Sequence, residues 1–208
     1  MEKETKIKKS EVLKNIFLLE FETQFELTST FLRFQEHYES PEFRDKVFTL
    51  EEFEKWYTKL KGSFTYHTDW SGFNIPSYIL QPFRNGKFNP LTAKERNLLS
   101  LFENDTEPFY IIGVSKDSSS GKLLLEHEIA HGLFYSNQEY KEKALAILKK
   151  YDLRDLKEWL REQGYHEEVL LDECHAYGLS GSSKLTVEIT PPMKLELREL
   201  FDKYNKEV

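Results

Sequence analysis

Two histidines four residues apart inside an apolar run, Leu123 to Tyr135 (LLLEHEIAHGLFY), constrain this chain more than any other stretch. On a helix, residues i and i+4 lie on one face, one turn apart, so His127 and His131 can offer their imidazoles to a single metal ion. Glu128 projects about 100° around that helix from His127, beside the pair and not between its members. This position suits a carboxylate that takes a proton from a metal-activated water without being a ligand itself. The five residues His127-Glu128-Ile129-Ala130-His131 form the HExxH zinc signature, which carries meaning only on a helix.

The flanking residues favour a helix. Asp117 and Ser118 to Ser120 are candidate N-caps, and the next proline after the motif is Pro191. Leu125, Ile129 and Leu133 fall on the side away from the histidines, an apolar back that can be buried while the histidines face a cleft.

Zinc held by protein usually has three protein ligands in a catalytic site, so a third must come from elsewhere. Glu173, in VLLDECHAYG, is the best candidate: its helical neighbours are Val169, Leu170, Ala176 and Tyr177, a largely apolar face. A carboxylate buried there costs several kcal/mol unless a cation or metal meets it. His175 is a rival, about 200° around the helix from Glu173, and His166 precedes that helix as a ligand, an oxyanion donor or a surface residue. Asp172 can orient a ligand imidazole from behind. Tyr177, Tyr140 and His166 are the candidate oxyanion donors.

The set His127, Glu128, His131 and a Glu on a later helix resembles the gluzincin arrangement of zinc metallopeptidases, the group typified by thermolysin. The resemblance covers about Phe109 to Gly178 and implies an α+β, zincin-like fold with a small mixed sheet. An edge strand would lie beside the HExxH helix, and the C-terminal half would be mostly helical. It also implies Zn²⁺ bound by His127, His131 and Glu173, with Glu128 as general base for hydrolysis of a peptide or protein substrate. Two positions depart from the thermolysin pattern: Asp172 replaces an Asn, and Tyr177 stands where an Asp is expected. Metzincins fit worse, because Phe134 and Asn137 occupy the places of their Gly and third His. The alternatives are a zincin-like domain that binds a peptide or protein without turnover, and a metallohydrolase acting on a non-peptide amide.

The rest of the chain sets the frame. Its 208 residues suffice for one compact domain, with residues 12–136 as an α/β part and 137–208 as a helical part. A net charge of -7 argues against a nucleic-acid partner, since phosphate binding needs a basic face. No run reaches the length of a membrane span, the N-terminus lacks an apolar signal segment, and the single Cys174 has no internal partner. A cytoplasmic location follows as the expectation.

In order, residues 1–11 read as a frayed end and Ile16 to Phe21 as a strand. Leu27, Phe31, Phe34 and Tyr38 recur at helical spacing before Pro41, with His37 a surface or partly satisfied residue. Capping boxes at Thr49 to Glu52 and Thr92 to Glu95 open two helices, the first ending at Gly62. Between them lie short strands and loop whose Trp70, Phe73 and Tyr78 can line a groove or pack beneath it. Phe109 to Val114 is the clearest strand, and its free edge is expected to pair with an extended peptide. Helices are expected over Tyr140 to Lys150, Leu153 to Glu162, Glu167 to Tyr177 and Met193 to Lys206. Gly164 is read as a separator, and GLSGSSK leads into a strand at Leu185 to Thr190 that ends in a Pro-Pro break.

Overall fold

A computed structural model describes residues 6–105, 108–117, 121–163, 165–182 and 185–205. Four strands form one mixed sheet among them: β1 (Lys8–Leu13), β2 (Ile16–Phe21), β3 (Gly72–Pro76) and β4 (Tyr110–Ser115), in the order β1-β2-β4-β3. Between β2 and β3 come α1 (Gln24–Glu39), α2 (Leu50–Lys61) and the short α3 (Tyr66–Asp69). A 3₁₀ turn (Ser77–Leu80), the short α4 (Gln81–Arg84) and α5 (Ala93–Ser100) lead from β3 to β4. The C-terminal half is mostly helical: α6 (Gly121–Ser136), α7 (Gln138–Leu148), α8 (Arg154–Glu162), α9 (Leu170–Ser180) and α10 (Pro191–Tyr204).

Period-two alternation divides the core. In β4, Tyr110 and Ile112 join Ile16 and Leu18 of β2 in a cluster with α6 to α10, whereas Phe109 and Ile111 join Leu19 and Phe21 in a phenylalanine-rich cluster with α1, α2 and α5. Both faces of the two central strands are therefore covered, which is why β2 and β4 read as apolar runs and not as alternating ones. On β3, Phe73 and Ile75 belong to the α1 side. Phe73 stacks on Phe31 with centroids 5.5 Å apart, so it is core and lines no groove, while Trp70 and Tyr78 remain about half exposed.

The topology corrects one expectation about the sheet. β4 has no free edge: β2 pairs with it in parallel on one side and β3 antiparallel on the other, with Asn74 opposite Ile112. The edge strand beside α6 is β3, whose sequence, GFNIP, is short and contains both Gly and Pro. Residues 8–11 are likewise not frayed but belong to β1, paired with β2 through Lys8 to Glu20 and Lys9 to Leu19.

Local signals account for most helix ends. Thr23 and Glu26 form a capping box for α1, and those at Thr49 and Thr92 open α2 and α5; α2 ends on left-handed Gly62. Leu185 to Thr190 carries no strand. Pro191 and Pro192 do not break a helix but occupy the first turn of α10, where their missing N–H groups need no partner. Ser118 to Ser120, Gly164, Ser183, Lys184 and Lys206 lie outside the described residues, whereas Asp117 accepts from the Gln24 backbone at 3.1 Å.

Two polar features are buried in the phenylalanine-rich half. Arg33 grips Glu95 with two donors, Nε at 2.7 Å and Nη2 at 2.6 Å, and its Nη1 donates to the Phe88 carbonyl at 3.1 Å. His37 is buried, not at the surface, with Nδ1 2.9 Å from the Lys46 carbonyl.

Close approach and burial make two testable demands. A Cβ at Gly113 would lie 2.6 Å from Phe31 and 2.8 Å from Leu27, so Gly113→Ala is expected to lower stability by about 1–3 kcal/mol in chemical denaturation. Glu36, beside Tyr66 and Ser40, has its carboxyl pushed up to about 7 by burial, which outweighs the lowering effect of those two hydroxyls. The unfolded chain then ionises before the folded one, and stability contributed by this group falls as pH rises from the ordinary carboxyl range through about 7. Glu36→Gln should gain on the wild type between pH 5 and pH 8, by on the order of 2 kcal/mol; a pH-independent difference refutes this.

Candidate metal centre

The motif helix behaves as its pattern requires. Ile129 and Leu133 are buried on the core side of α6 and Leu125 packs against the same cluster. On the other side, the imidazoles of His127 and His131 stand with ring centroids 4.8 Å apart and their Nε2 atoms 3.2 Å apart. Two nitrogen donors at zinc distances in a tetrahedral site are separated by about 3.3 Å, so this spacing fits one shared ion.

α9 packs across α6 and supplies the carboxylates. Glu173 is buried, with Oε1 3.7 Å from His131 Nε2, and its Oε2 has no hydrogen-bond partner. Donor atoms of His127, His131 and Glu173 all lie within 4.8 Å of one another. An unpaired buried carboxylate oxygen beside two converging imidazoles fits a cation, and two nitrogens plus one oxygen suit a borderline transition metal better than calcium or magnesium.

Behind the donors, further groups orient them. Asp172 Oδ1 stands 3.0 Å from His131 Nδ1, which leaves Nε2 for the ion. Ser180 Oγ stands 3.0 Å from His127 Nδ1. His175 is fully buried, 3.8 Å from Asp172 through Nδ1 and 2.7 Å from the Tyr140 hydroxyl through Nε2. The geometry therefore places neither His175 nor Tyr140 among the donors; Tyr140 serves His175. His166 is exposed and its Nδ1 accepts from the Glu168 N–H at 3.4 Å, so the fold does not bring it to the centre.

Glu128 is held from the sheet. Asn74 on β3 donates from Nδ2 to Glu128 Oε2 at 2.5 Å, and the Tyr110 hydroxyl of β4 donates to Asn74 Oδ1. A tyrosine donor on the amide oxygen forces the amide nitrogen towards the carboxylate, so the orientation of Asn74 follows from its partners. Gly72, two residues away on the same face, leaves room for the other oxygen: a Cβ there would lie 3.3 Å from Glu128 Oε1.

Burial governs the electrostatics. It pushes Glu173 well above the ordinary carboxyl range, only partly offset by His131, and raises Glu128 as well. Burial lowers His127 to about 3. It would lower His131 too, but the carboxylates of Asp172 and Glu173 outweigh it and hold that imidazole well above its usual value. Tyr177 sits with its ring 4.8 Å from that of His127 and its hydroxyl 3.2 Å from that of Tyr165; burial raises it to about 12, so it keeps its proton at neutral pH. Glu39, at the end of α1, is pushed up to about 8 by burial, with His131, Glu128 and Asp172 among the charges it feels.

The sequence alone does not mark Asn74, Tyr110, Glu39 or Ser180 as neighbours of the donors. Only Ser180 had a local signal, lying seven residues, or two helical turns, beyond Glu173 on the same face.

No family model matches the chain, and no curated protein and no solved structure matches it. Among the described residues, no helix is long and apolar enough to cross a membrane.

If Asp172 orients His131, Asp172→Ala should bind zinc about 10–100-fold more weakly than the wild type in competition with a chromogenic chelator, with its circular dichroism unchanged. Equal affinity would remove Asp172 from the centre.

Proposed function

We propose that the protein is a zinc-dependent metallopeptidase with a zincin-like arrangement of gluzincin type. The observation that supports this most is the convergence of His127, His131 and the unpaired, buried Glu173, with Glu128 beside them and outside the donor set. Two imidazoles and one carboxylate form the donor set typical of catalytic zinc in hydrolases, one position being left for water or substrate. Zinc bound there supplies Lewis acidity towards a carbonyl oxygen and towards water.

The chain's own residues divide the remaining work. Asn74 anchors Glu128 Oε2, which leaves Oε1 to take the proton of the attacking water and return it to the leaving amine. Burial raises the Glu128 carboxyl above its ordinary value, offset in part by His131 and the Asn74 hydrogen bond. Tyr177, protonated at neutral pH and adjacent to His127, is the donor for the developing oxyanion. The outer edge of β3, next to Asn74, provides backbone groups for an extended peptide or protein substrate.

Enclosure favours a second reading. Glu128, His131 and Glu173 are 5%, 3% and 4% exposed, and only His127 is partly open. A domain of this shape that binds a partner without turnover, or a hydrolase for a small non-peptide amide, would use the same donors.

Glu128→Gln separates these possibilities. The variant should retain one zinc per chain, with the Gln oxygen still accepting from Asn74, while cleavage of a peptide library read by mass spectrometry falls by about 10²–10⁴-fold. Undiminished cleavage would sink Glu128 as the base, and a wild type that binds zinc but cleaves nothing would favour the binding domain.

A further inference from the structure

His127 and His131 are supported unequally. His131 has a carboxylate at its Nδ1, whereas His127 has a neutral hydroxyl there, that of Ser180 in the last turn of α9. Ser180 is 8% exposed, and its Oγ lies 2.9 Å from the Ala176 carbonyl and 3.1 Å from the Gly181 carbonyl. Both carbonyls can only accept, and with two of them within 3.1 Å the single hydroxyl proton is drawn to a carbonyl in preference to the ring. The oxygen then meets His127 Nδ1 with a lone pair, and the nitrogen must supply the proton for that contact. His127 is thereby set as the Nδ1–H tautomer, with the Nε2 lone pair turned to the Nε2 of His131, 3.2 Å away.

We propose that Ser180 is a positioning residue which fixes the tautomer and ring plane of His127, so that Nε2 is presented to the metal. The proposal rests on the reading of His127 as a ligand. Its chemical consequence is asymmetry: a carboxylate raises the basicity of the imidazole it holds, and a hydroxyl orients one with little added charge. His131 is then the stronger donor and His127 the more easily displaced. The Ala176 carbonyl also lies near the His127 imidazole and raises its affinity for a proton. Ser180 and Ala176 lie one turn apart on α9, so the hydroxyl links the ring to the helix that carries Glu173.

Side-chain ¹⁵N shifts of the full-length protein labelled at histidine report the tautomer directly, with or without zinc, and chelator competition reports affinity. The wild type should show His127 protonated at Nδ1. Ser180→Ala should populate both tautomers without zinc and bind zinc about 10–100-fold more weakly, and Ser180→Thr, which keeps the hydroxyl, should restore both properties. A single Nδ1–H tautomer and unchanged affinity in Ser180→Ala would overturn the assignment and leave the Ala176 carbonyl as sufficient. A wild type that takes up no zinc, yet whose His127 tautomer still responds to Ser180→Ala, would overturn the ligand reading while supporting the orienting contact.

Discussion

Removing a carboxylate from water costs several kcal/mol unless a positive charge or donors replace the lost hydration. This fold buries Glu128 and Glu173 and half-buries Asp172 around one pair of imidazoles. Each is answered differently. Asp172 has an ion-pair contact with His131, Glu128 has a hydrogen bond from Asn74, and Glu173 has an oxygen with no hydrogen-bond partner. The surrounding elements are arranged so that these three solutions coexist within one helix crossing, and the Glu173 oxygen without a hydrogen-bond partner leaves the centre a group that could hold a cation.

The sheet makes that crossing possible. β4 lies between β2 and β3, and its alternation sends Tyr110 and Ile112 towards α6 while Ile111, with Phe109 just before the strand, enters the phenylalanine-rich core. The same period sets Asn74 and Gly72 of β3 on the α6 side, where one donates to Glu128 and the other leaves it space. A one-residue slip of β3 would turn Phe73 onto Glu128 and remove both features. Register in the edge strand is thus tied to the site, through two hydrogen bonds that run from Tyr110 through Asn74 to the carboxylate.

Much was legible in the residues alone. HEIAH on an apolar-backed helix led to the two imidazoles, and Glu173 stood out because its helical neighbours are apolar. Asp172 was legible by adjacency, and two helix starts from Thr-x-x-Glu spacing, those at Thr49 and Thr92; the same box at Thr23 emerged only with the structure. Other features were not legible, for identifiable reasons. Leu185 to Thr190 has strand composition but no strand partner, and strand formation depends on pairing that no local pattern encodes. β1 is polar, because an edge strand needs little burial, and it read as a frayed end. His166 lies close in sequence to α9 yet is exposed and occupied with the Glu168 backbone.

By itself the sequence determined the helical motif, the candidate donors and the apolar faces, since these depend on periodicities of 3.6 and 2 within single segments. Only tertiary structure decided that β3 and not β4 is the edge beside α6, and that Asn74, Tyr110 and Ser180 surround the donors. It also decided that His175 and Tyr140 pair with one another away from them. The reason is physical. A donor's partner is selected by which elements cross and at what height, and the free energy that sets those crossings comes from burying side chains distant in the chain, such as Phe31 on Phe73 and Ile16 on Gly132.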